Sequence, residues 1–432
     1  MSINNRNLIA ELTWRGMIAD IMPGTEAQLQ KEITAGYVGF DPTADSLHIG
    51  SLVPILLLVH LQRAGHQPIA LVGGATGMVG DPSGKSEERN LLSEEDLERN
   101  VAGIKKQLSR FITFGGNQPN SAILVNNYDW FKEMSFIHFL RDVGKHLTVN
   151  YMMSKDSVKK RIEGENGISY TEFAYQLMQG YDFYWLHQNL GCKLQFGGSD
   201  QWGNITTGTE LVRRMTKGAG EAFAFTCPLI TKANGGKFGK TESGNVWLDA
   251  DRTSPYQFYQ FWLNANDLDA QKWIKIFTFL TQSEVETILA EHNVDPGQRF
   301  LQKKLAAEVT LFVHGSEGLD AALATTDKLF AHKEAAIETL TAMDLEAIEG
   351  IVKVDYSIQD LENGIDIINF LAVTQIFDSK GEGKKMIANG GVSIKRAKVT
   401  NPQMIINQHL LLHDKYLLIQ KGKKNYYLVV AI

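Results

Sequence analysis

The chain has 432 residues and a net charge of −6 with a pI near 6.0; this length suits two or three domains, and the charge excludes a general nucleic-acid binder. Its two cysteines, Cys192 and Cys227, exclude a disulfide framework and a multi-cysteine zinc site and fit a reducing compartment. The charge is uneven, since residues 378 to 432 carry ten Lys or Arg against Asp378, Glu382 and Asp414, a local +7 that leaves −13 on the rest and predicts a polyanion contact at the tail alone.

The opening MSINNRNLIAELTWRG lacks the basic flank and apolar stretch of a secretion signal, and no later run has the length of a membrane span, so a soluble, cytoplasmic protein is expected. Three apolar runs, YVGF (37 to 40), QPIALVGG (67 to 74) and SAILVNN (121 to 127), are separated by helical stretches beginning near Gly50 and Ser93. That alternation predicts an α/β domain with a parallel sheet, to which KLQFGG (193 to 198) and FAFTCPLIT (223 to 231) add strands. Ligands of such sheets sit beyond the carboxyl ends of the strands. From about Ser254 to Leu345 the spacing turns helical, 346 to 362 is polar and acidic, and the basic tail ends in the strand candidate YYLVVAI. The expected organisation is a catalytic domain over 1–250, a helical domain over 251–345, a linker over 346–362 and a small domain over 363–432.

The loops carry the chemistry. FDPTADSLHIG (40 to 50) puts Thr43 and His48 at the start of a helix, where free N–H groups and the helix dipole favour an anion, and Gly50 lets an adenine or ribose lie against the backbone. GGATGMVGDPSGKS (73 to 86) follows a strand but matches neither usual nucleotide signature, because only three residues separate Gly80 from Gly84 and no GxGxxG occurs. Its Asp81 could pair with a ligand ammonium. In YTEFAYQLMQGYDF (170 to 183) Tyr175, Gln179 and Asp182 share one helix face, a polar stripe that suits a ligand site or a buried hydrogen-bond network equally well. GGSDQWGN (197 to 204) brings Asp200 and Gln201 to the same mouth of the sheet. KANGGKFGKTESG (232 to 244) sets Lys237 and Lys240 in a glycine-rich loop, which could be a solvated hairpin turn but, taken with the helix-start histidine, suits a polyphosphate.

Together FDPTADSLHIG, GGATGMVGDPSG, NNYDW, TEFAYQLMQGYDF, GGSDQWGNI and KFGKTESG resemble the bacterial-type tyrosyl-tRNA synthetases, with HIG and KFGKT similar to the two nucleotide signatures of class I aminoacyl-tRNA synthetases. The resemblance runs in order from about Tyr37 to Phe261 and again near the C-terminus. It implies a Rossmann-like catalytic domain, an α-helical domain and a small α+β RNA-binding domain like one found in a ribosomal protein. By the same resemblance, ATP would meet Asp41, Thr43, His48, Gly50, Gly198 and Asp200. Lys237, Lys240 and Thr241 would act on its phosphates, with Lys85 and Arg89 on the pyrophosphate side. Tyrosine would meet Tyr37 and Asp182 at its hydroxyl, Asp81, Tyr175 and Gln179 at its ammonium, and Gln201 near its carboxylate. Lys384, Lys385, Lys395, Arg396 and Lys398 are the expected RNA contacts. The implied reaction joins tyrosine to tRNA(Tyr) through tyrosyl-adenylate, with Mg²⁺ arriving with ATP and no metal held by the protein; a homodimer is implied too. Two positions depart from the family: Ser51 stands where a second histidine is common, and Val38 replaces a cysteine next to the pocket tyrosine. A tryptophan-specific relative and a non-catalytic RNA-binding protein are the alternatives.

Overall fold

The computed structural model describes residues 7–81, 93–164, 167–233, 235, 238–241, 244–330, 342, 345, 351–422 and 425–432. The chain groups into two compact units, Met1–Arg252 with Trp262–Val313, and Thr253–Phe261 with His314–Ile432.

The first unit is built on five strands, β1 (Ala35–Phe40), β2 (Gln67–Val72), β3 (Ile123–Asn126), β4 (Cys192–Gly198) and β5 (Phe223–Cys227). Their order is β3-β2-β1-β4-β5, and every neighbouring pair is parallel. The order reverses between β1 and β4, so a crevice opens at the carboxyl ends of these two strands. Each strand coincides with an apolar run of the sequence, as expected when helices cover both faces of a parallel sheet. β5 stops short of the predicted run because Pro228 follows Cys227 and has no N–H to continue the ladder.

Helix α1 (Leu8–Trp14) precedes the sheet, and α2 (Leu52–Arg63) follows a single 3-10 turn over Ile49–Ser51. α2 is buried along nearly its whole length, which explains its uninterrupted apolar sequence. α3 (Glu94–Leu108) starts at Ser93, whose side chain accepts the Asp96 N–H. α4 (Tyr170–Leu190) opens with a capping box between Ser169 and Glu172 and closes on Gly191 in the left-handed region. A buried ion pair, Arg161 to Glu172 at 2.7 Å, fixes its first turn. α5 (Trp202–Met215) packs closely on α4: a Cβ at Gly180 would lie 3.6 Å from the Gly208 Cα.

The expected helical domain over 251–345 does not stand apart. Of its helices α6 (Pro255–Leu263), α7 (Asp267–Phe277), α8 (Gln282–Val294) and α9 (Phe300–Phe330), α7 and α8 group with the sheet. One tie between them is Arg15, which is buried and donates to the carbonyls of Lys275 at 2.7 Å, Thr278 at 2.8 Å and Leu280 at 2.8 Å. A cation on carbonyls at the end of α7 satisfies groups that the helix leaves without partners. α9 is interrupted at Gly315, with φ 73° and ψ −176°, a conformation essentially reserved for glycine.

In the second unit, β8 (Val352–Tyr356), β9 (Val392–Ile394), β10 (Ala397–Lys398), β11 (Tyr416–Lys421) and β12 (Asn425–Ala431) form one sheet in the order β10-β9-β11-β12-β8. Helices α10 (Ile358–Asn363), α11 (Ile367–Val373) and α12 (Lys380–Ala388) accompany it, and Leu361, Phe370, Phe377, Val392 and Leu417 make its core. The result is the predicted α+β domain with one correction. Residues 352–363, mostly inside the expected linker, are folded: β8 pairs in parallel with β12, and Tyr356 and Leu361 are buried. The acidic side chains Asp355, Asp360 and Glu362 are exposed and gave the segment its linker-like composition.

Candidate active site

The crevice between β1 and β4 is lined from both strands and from α4. Tyr37, on β1, is buried, and its hydroxyl finds no hydrogen-bond partner among the described residues. Its ring rests on Phe183 at 5.4 Å between centroids. Asp182 of α4 is also buried; one of its oxygens accepts the Trp130 indole N–H at 2.9 Å and the other the Asn127 amide at 3.1 Å. Asn127 is itself fixed, since its carbonyl accepts the Ala75 N–H at 2.7 Å and its amide also donates to the Thr76 hydroxyl at 3.1 Å. The Thr76 hydroxyl donates to Asp41 at 3.0 Å, and the Tyr175 hydroxyl donates to the other Asp41 oxygen at 3.0 Å. One network therefore runs from Asp182 to Tyr175. It joins Asp41, expected on the nucleotide side, to residues expected to meet the amino acid.

Asn127 and Trp130 lie in the stretch NNYDW but, like Thr76, are not among the candidate residues of the sequence; the one local signal is that a buried tryptophan N–H needs an acceptor, and it does not say which.

Burial raises the Asp182 carboxyl to about 8, against the Asn127 and Trp130 bonds that favour its charged form and with a smaller upward push from Asp41. Tyr37 and Tyr175 are held well above the ordinary phenol value, first by burial and then by the carboxylates Asp182 and Asp41 respectively. Both remain neutral donors at physiological pH. The raised carboxyl has a consequence for stability. Between the ordinary carboxyl value and about 8, folded Asp182 keeps a proton that the unfolded chain has lost, so its contribution to stability falls as pH rises through that window. In thermal unfolding of the ligand-free protein, the melting temperature of Asp182→Asn should rise relative to wild type from pH 5 to pH 8. A difference that does not change with pH would mean that Asp182 is already ionised in the fold.

The opposite end of the pocket is acidic. Asp81 accepts the Gln201 amide at 2.6 Å and, more weakly, the Asn204 amide at 3.4 Å. Asp200 is shifted upward by burial and by the nearby Asp81 charge, so a ligand cation entering here would relieve a like-charge contact. The Gln179 carbonyl oxygen is buried without a partner among the described residues. A Cβ at Gly198 would come 2.5 Å from an Asp200 oxygen, so a side chain there would displace that carboxylate.

On the nucleotide side, His48 caps the 3-10 turn, its Nδ1 accepting the Gly50 N–H at 3.0 Å. With Nδ1 accepting, a neutral imidazole carries its proton on Nε2 and presents a donor. A Cβ at Gly50 would lie 2.7 Å from the His48 ring, which accounts for the glycine. The lysine loop forms a short hairpin, β6 (Lys240–Thr241) against β7 (Gly244–Asn245). It is stitched to the histidine turn: the Ile49 N–H donates to the Val246 carbonyl at 2.9 Å and the Leu248 N–H to the Leu47 carbonyl at 2.8 Å, while within the loop the Val246 N–H donates to the Gly239 carbonyl at 3.1 Å. A Cβ at Gly239 would touch Ile49 at 3.1 Å. The two signatures, far apart in sequence, thus meet in space. Thr43 is exposed on the loop after β1. Lys240 and Thr241 are placed through their backbone, and Lys85, Arg89 and Lys237 lie outside the described residues.

In the second unit Lys384 and Lys385 are exposed on α12 and Lys398 on β10. Lys395 and Arg396 form the two-residue turn between β9 and β10, with φ of 47° and 64°. Left-handed φ at both central positions matches a type I′ hairpin, usually filled by Asn-Gly, so two cations stand where local strain disfavours long side chains.

Residues 29–331 match the family model for class I tRNA synthetases (W and Y), and residues 347–429 match the tyrosine–tRNA ligase SYY-like C-terminal domain. The tyrosine–tRNA ligase of Flavobacterium johnsoniae is 57% identical over 99% of this chain and 100% of its own, and that of Parabacteroides distasonis 58% over 98% and 100%. A C-terminally truncated mitochondrial tyrosyl-tRNA synthetase of Aspergillus nidulans superposes with a TM-score of 0.67 at 32% identity, covering 76% of this chain and 95% of that one. With both family domains in order and identity sustained from end to end, the chain belongs to the tyrosyl branch of the class I tRNA synthetases.

Proposed function

We infer that this chain is a tyrosine–tRNA ligase and that the crevice between β1 and β4 is where it activates tyrosine. The observation that carries the pocket assignment is the pair at its closed end, an unpartnered Tyr37 hydroxyl and an Asp182 carboxyl held by Trp130 and Asn127. A phenol both donates and accepts, so it can satisfy both groups. An indole N–H only donates and would leave Tyr37 unpaired, which favours tyrosine over tryptophan. At the other end Asp81, Tyr175 and Gln179 suit the substrate ammonium, and Gln201 its carboxylate.

The reaction proceeds in two displacements. The tyrosine carboxylate, ionised at neutral pH without a base, attacks the α-phosphorus of ATP; the bond to the pyrophosphate oxygen breaks and tyrosyl-adenylate remains. A ribose hydroxyl at the tRNA 3′ end then attacks the tyrosyl carbonyl and AMP leaves. The barrier of the first step falls through alignment and through donors aimed at charge growing on the leaving pyrophosphate. His48 Nε2 and the lysines of the hairpin supply them. Mg²⁺ belongs to this reading as the counterion of ATP. The basic side chains of the second unit take the tRNA backbone.

A homodimer and a cytoplasmic location complete the reading. Phe136 (61% exposed), Ile137 (68%) and Val149 (59%) leave apolar surface uncovered, which suits a second copy. Among the described residues no helix is long and apolar enough to cross a membrane, and both cysteines are buried free thiols.

The direct test is exchange of labelled pyrophosphate into ATP with tyrosine, phenylalanine and tryptophan in parallel. Exchange with tyrosine alone is expected. Exchange with tryptophan alone overturns the pocket, and no exchange by folded protein that still binds tRNA overturns the enzyme.

A further inference from the structure

The backbone bonds that join the histidine turn to the lysine hairpin have a pair of side chains beside them that lies outside both signatures. Arg252 Nη2 lies 2.5 Å from an Asp45 carboxylate oxygen. Asp45 stands three residues before His48, and Arg252 follows the segment that leaves the hairpin. The same guanidinium covers the Trp247 ring, with Cζ 4.9 Å from its centroid, and Trp247 meets the His48 ring edge-on at 6.3 Å. Side chains from both segments thus form one chain of contacts, Asp45 to Arg252 to Trp247 to His48.

Asp45 is held from its other side by α3. Asn100 donates to the Pro42 carbonyl at 3.0 Å, and Gln107 accepts the Leu47 N–H at 2.8 Å and donates to the Ser46 hydroxyl at 2.9 Å. Between them a Cβ at Gly103 would run into the Asp45 carbonyl oxygen. Residues 100, 103 and 107 share one helix face, so α3 forms a rigid support under the loop from Pro42 to Leu47. Asp45 is a fixed post, and Arg252 is the group that reaches it.

We propose that Asp45 and Arg252 form a positioning clasp for adenylate formation, docking the outgoing arm of the lysine hairpin on the histidine turn and setting where the hairpin is presented to ATP. Neither residue belongs to the amino-acid pocket. The side chains are 35% and 42% exposed overall, although the Asp45 oxygen facing Arg252 is itself buried and makes no hydrogen bond among the described residues; the contact is an ion pair between side chains that both reach water, and such pairs contribute little to stability. Its removal therefore acts on the approach of two segments with little effect on the fold.

The proposal rests on the ligase reading, so tyrosine-dependent exchange by the wild-type enzyme is the first measurement, and its absence would remove the reading and the clasp together. With that activity in hand, single-turnover adenylate formation, tyrosine affinity and melting temperature are measured for Arg252→Ala, Asp45→Ala, Arg252→Lys and the exchanged pair Asp45→Arg with Arg252→Asp. Each alanine variant should slow adenylate formation by on the order of ten- to a hundredfold, the scale of a displacement of about 1 Å away from the reacting atoms, with tyrosine affinity and melting temperature nearly unchanged. Arg252→Lys should fall between, and the exchanged pair should recover most of the rate. Unchanged rates in both alanine variants, a parallel loss of tyrosine affinity, or an exchanged pair no faster than the slower single variant would each overturn the clasp.

Discussion

Asp182→Ala should lower the selectivity for tyrosine over phenylalanine by roughly a hundredfold, about 3 kcal/mol, the upper end of the cost of leaving a buried polar group without its hydrogen-bond partner. With the phenol placed as proposed, phenylalanine leaves the Tyr37 hydroxyl and Asp182 without the partner that tyrosine would give both. Removing the carboxyl takes away the acceptor and orphans two donors, the Trp130 indole and the Asn127 amide. Tyrosine loses its advantage while phenylalanine, which never used the contact, loses little. The measurement is kcat/KM for both amino acids in pyrophosphate exchange, with ATP varied separately and circular dichroism reporting the fold. Equal losses for the two amino acids, or a loss confined to ATP, would refute the placement of the phenol at Asp182.

Much of this pocket was legible because its parts lie on single elements. Tyr175, Gln179 and Asp182 share a face of α4, and the helical period alone places them together. The five strands of the first sheet were legible because strands covered on both faces are written as apolar runs. The position of the crevice followed from strand order, which depends on tertiary pairing and is not written in any one segment.

What stayed hidden depends on contacts between distant segments. Asn127 and Trp130 read locally as a strand end and an ordinary core tryptophan; only their meeting with Asp182 gives them a role. Asn100, Gly103 and Gln107 have the right spacing for a common face, yet nothing in α3 names the loop they support. Arg15 caps α7 from just after a helix near the start of the chain, a contact that neither segment announces. The segment taken for a linker misled for a different reason: one side of it is acidic and exposed while Tyr356 and Leu361 face the core, and composition averages the two.

Lys240→Ala should slow adenylate formation by about a hundred- to a thousandfold, the usual cost of removing one preorganised donor from charge that develops in a transition state. The substitution spares the fold of the loop, because β6 is held through the backbone, Lys240 opposite Asn245 and the Gly239 carbonyl on the Val246 N–H. None of the hydrogen bonds among Asp182, Asn127, Thr76, Asp41 and Tyr175 passes through β6, so tyrosine affinity should hold. A lysine that bound ATP equally in the ground and transition states would raise the KM for ATP and leave the rate at saturation intact. A lysine that meets the leaving pyrophosphate only as the bond breaks would lower kcat and kcat/KM together. Pyrophosphorolysis of bound tyrosyl-adenylate crosses the same transition state and should slow with the forward step. Lys240→Arg separates charge from shape, since a guanidinium keeps the charge but not the compact ammonium, and should restore part of the rate. An unchanged single-turnover rate in Lys240→Ala would remove the hairpin from the chemistry, however close to His48 its backbone lies.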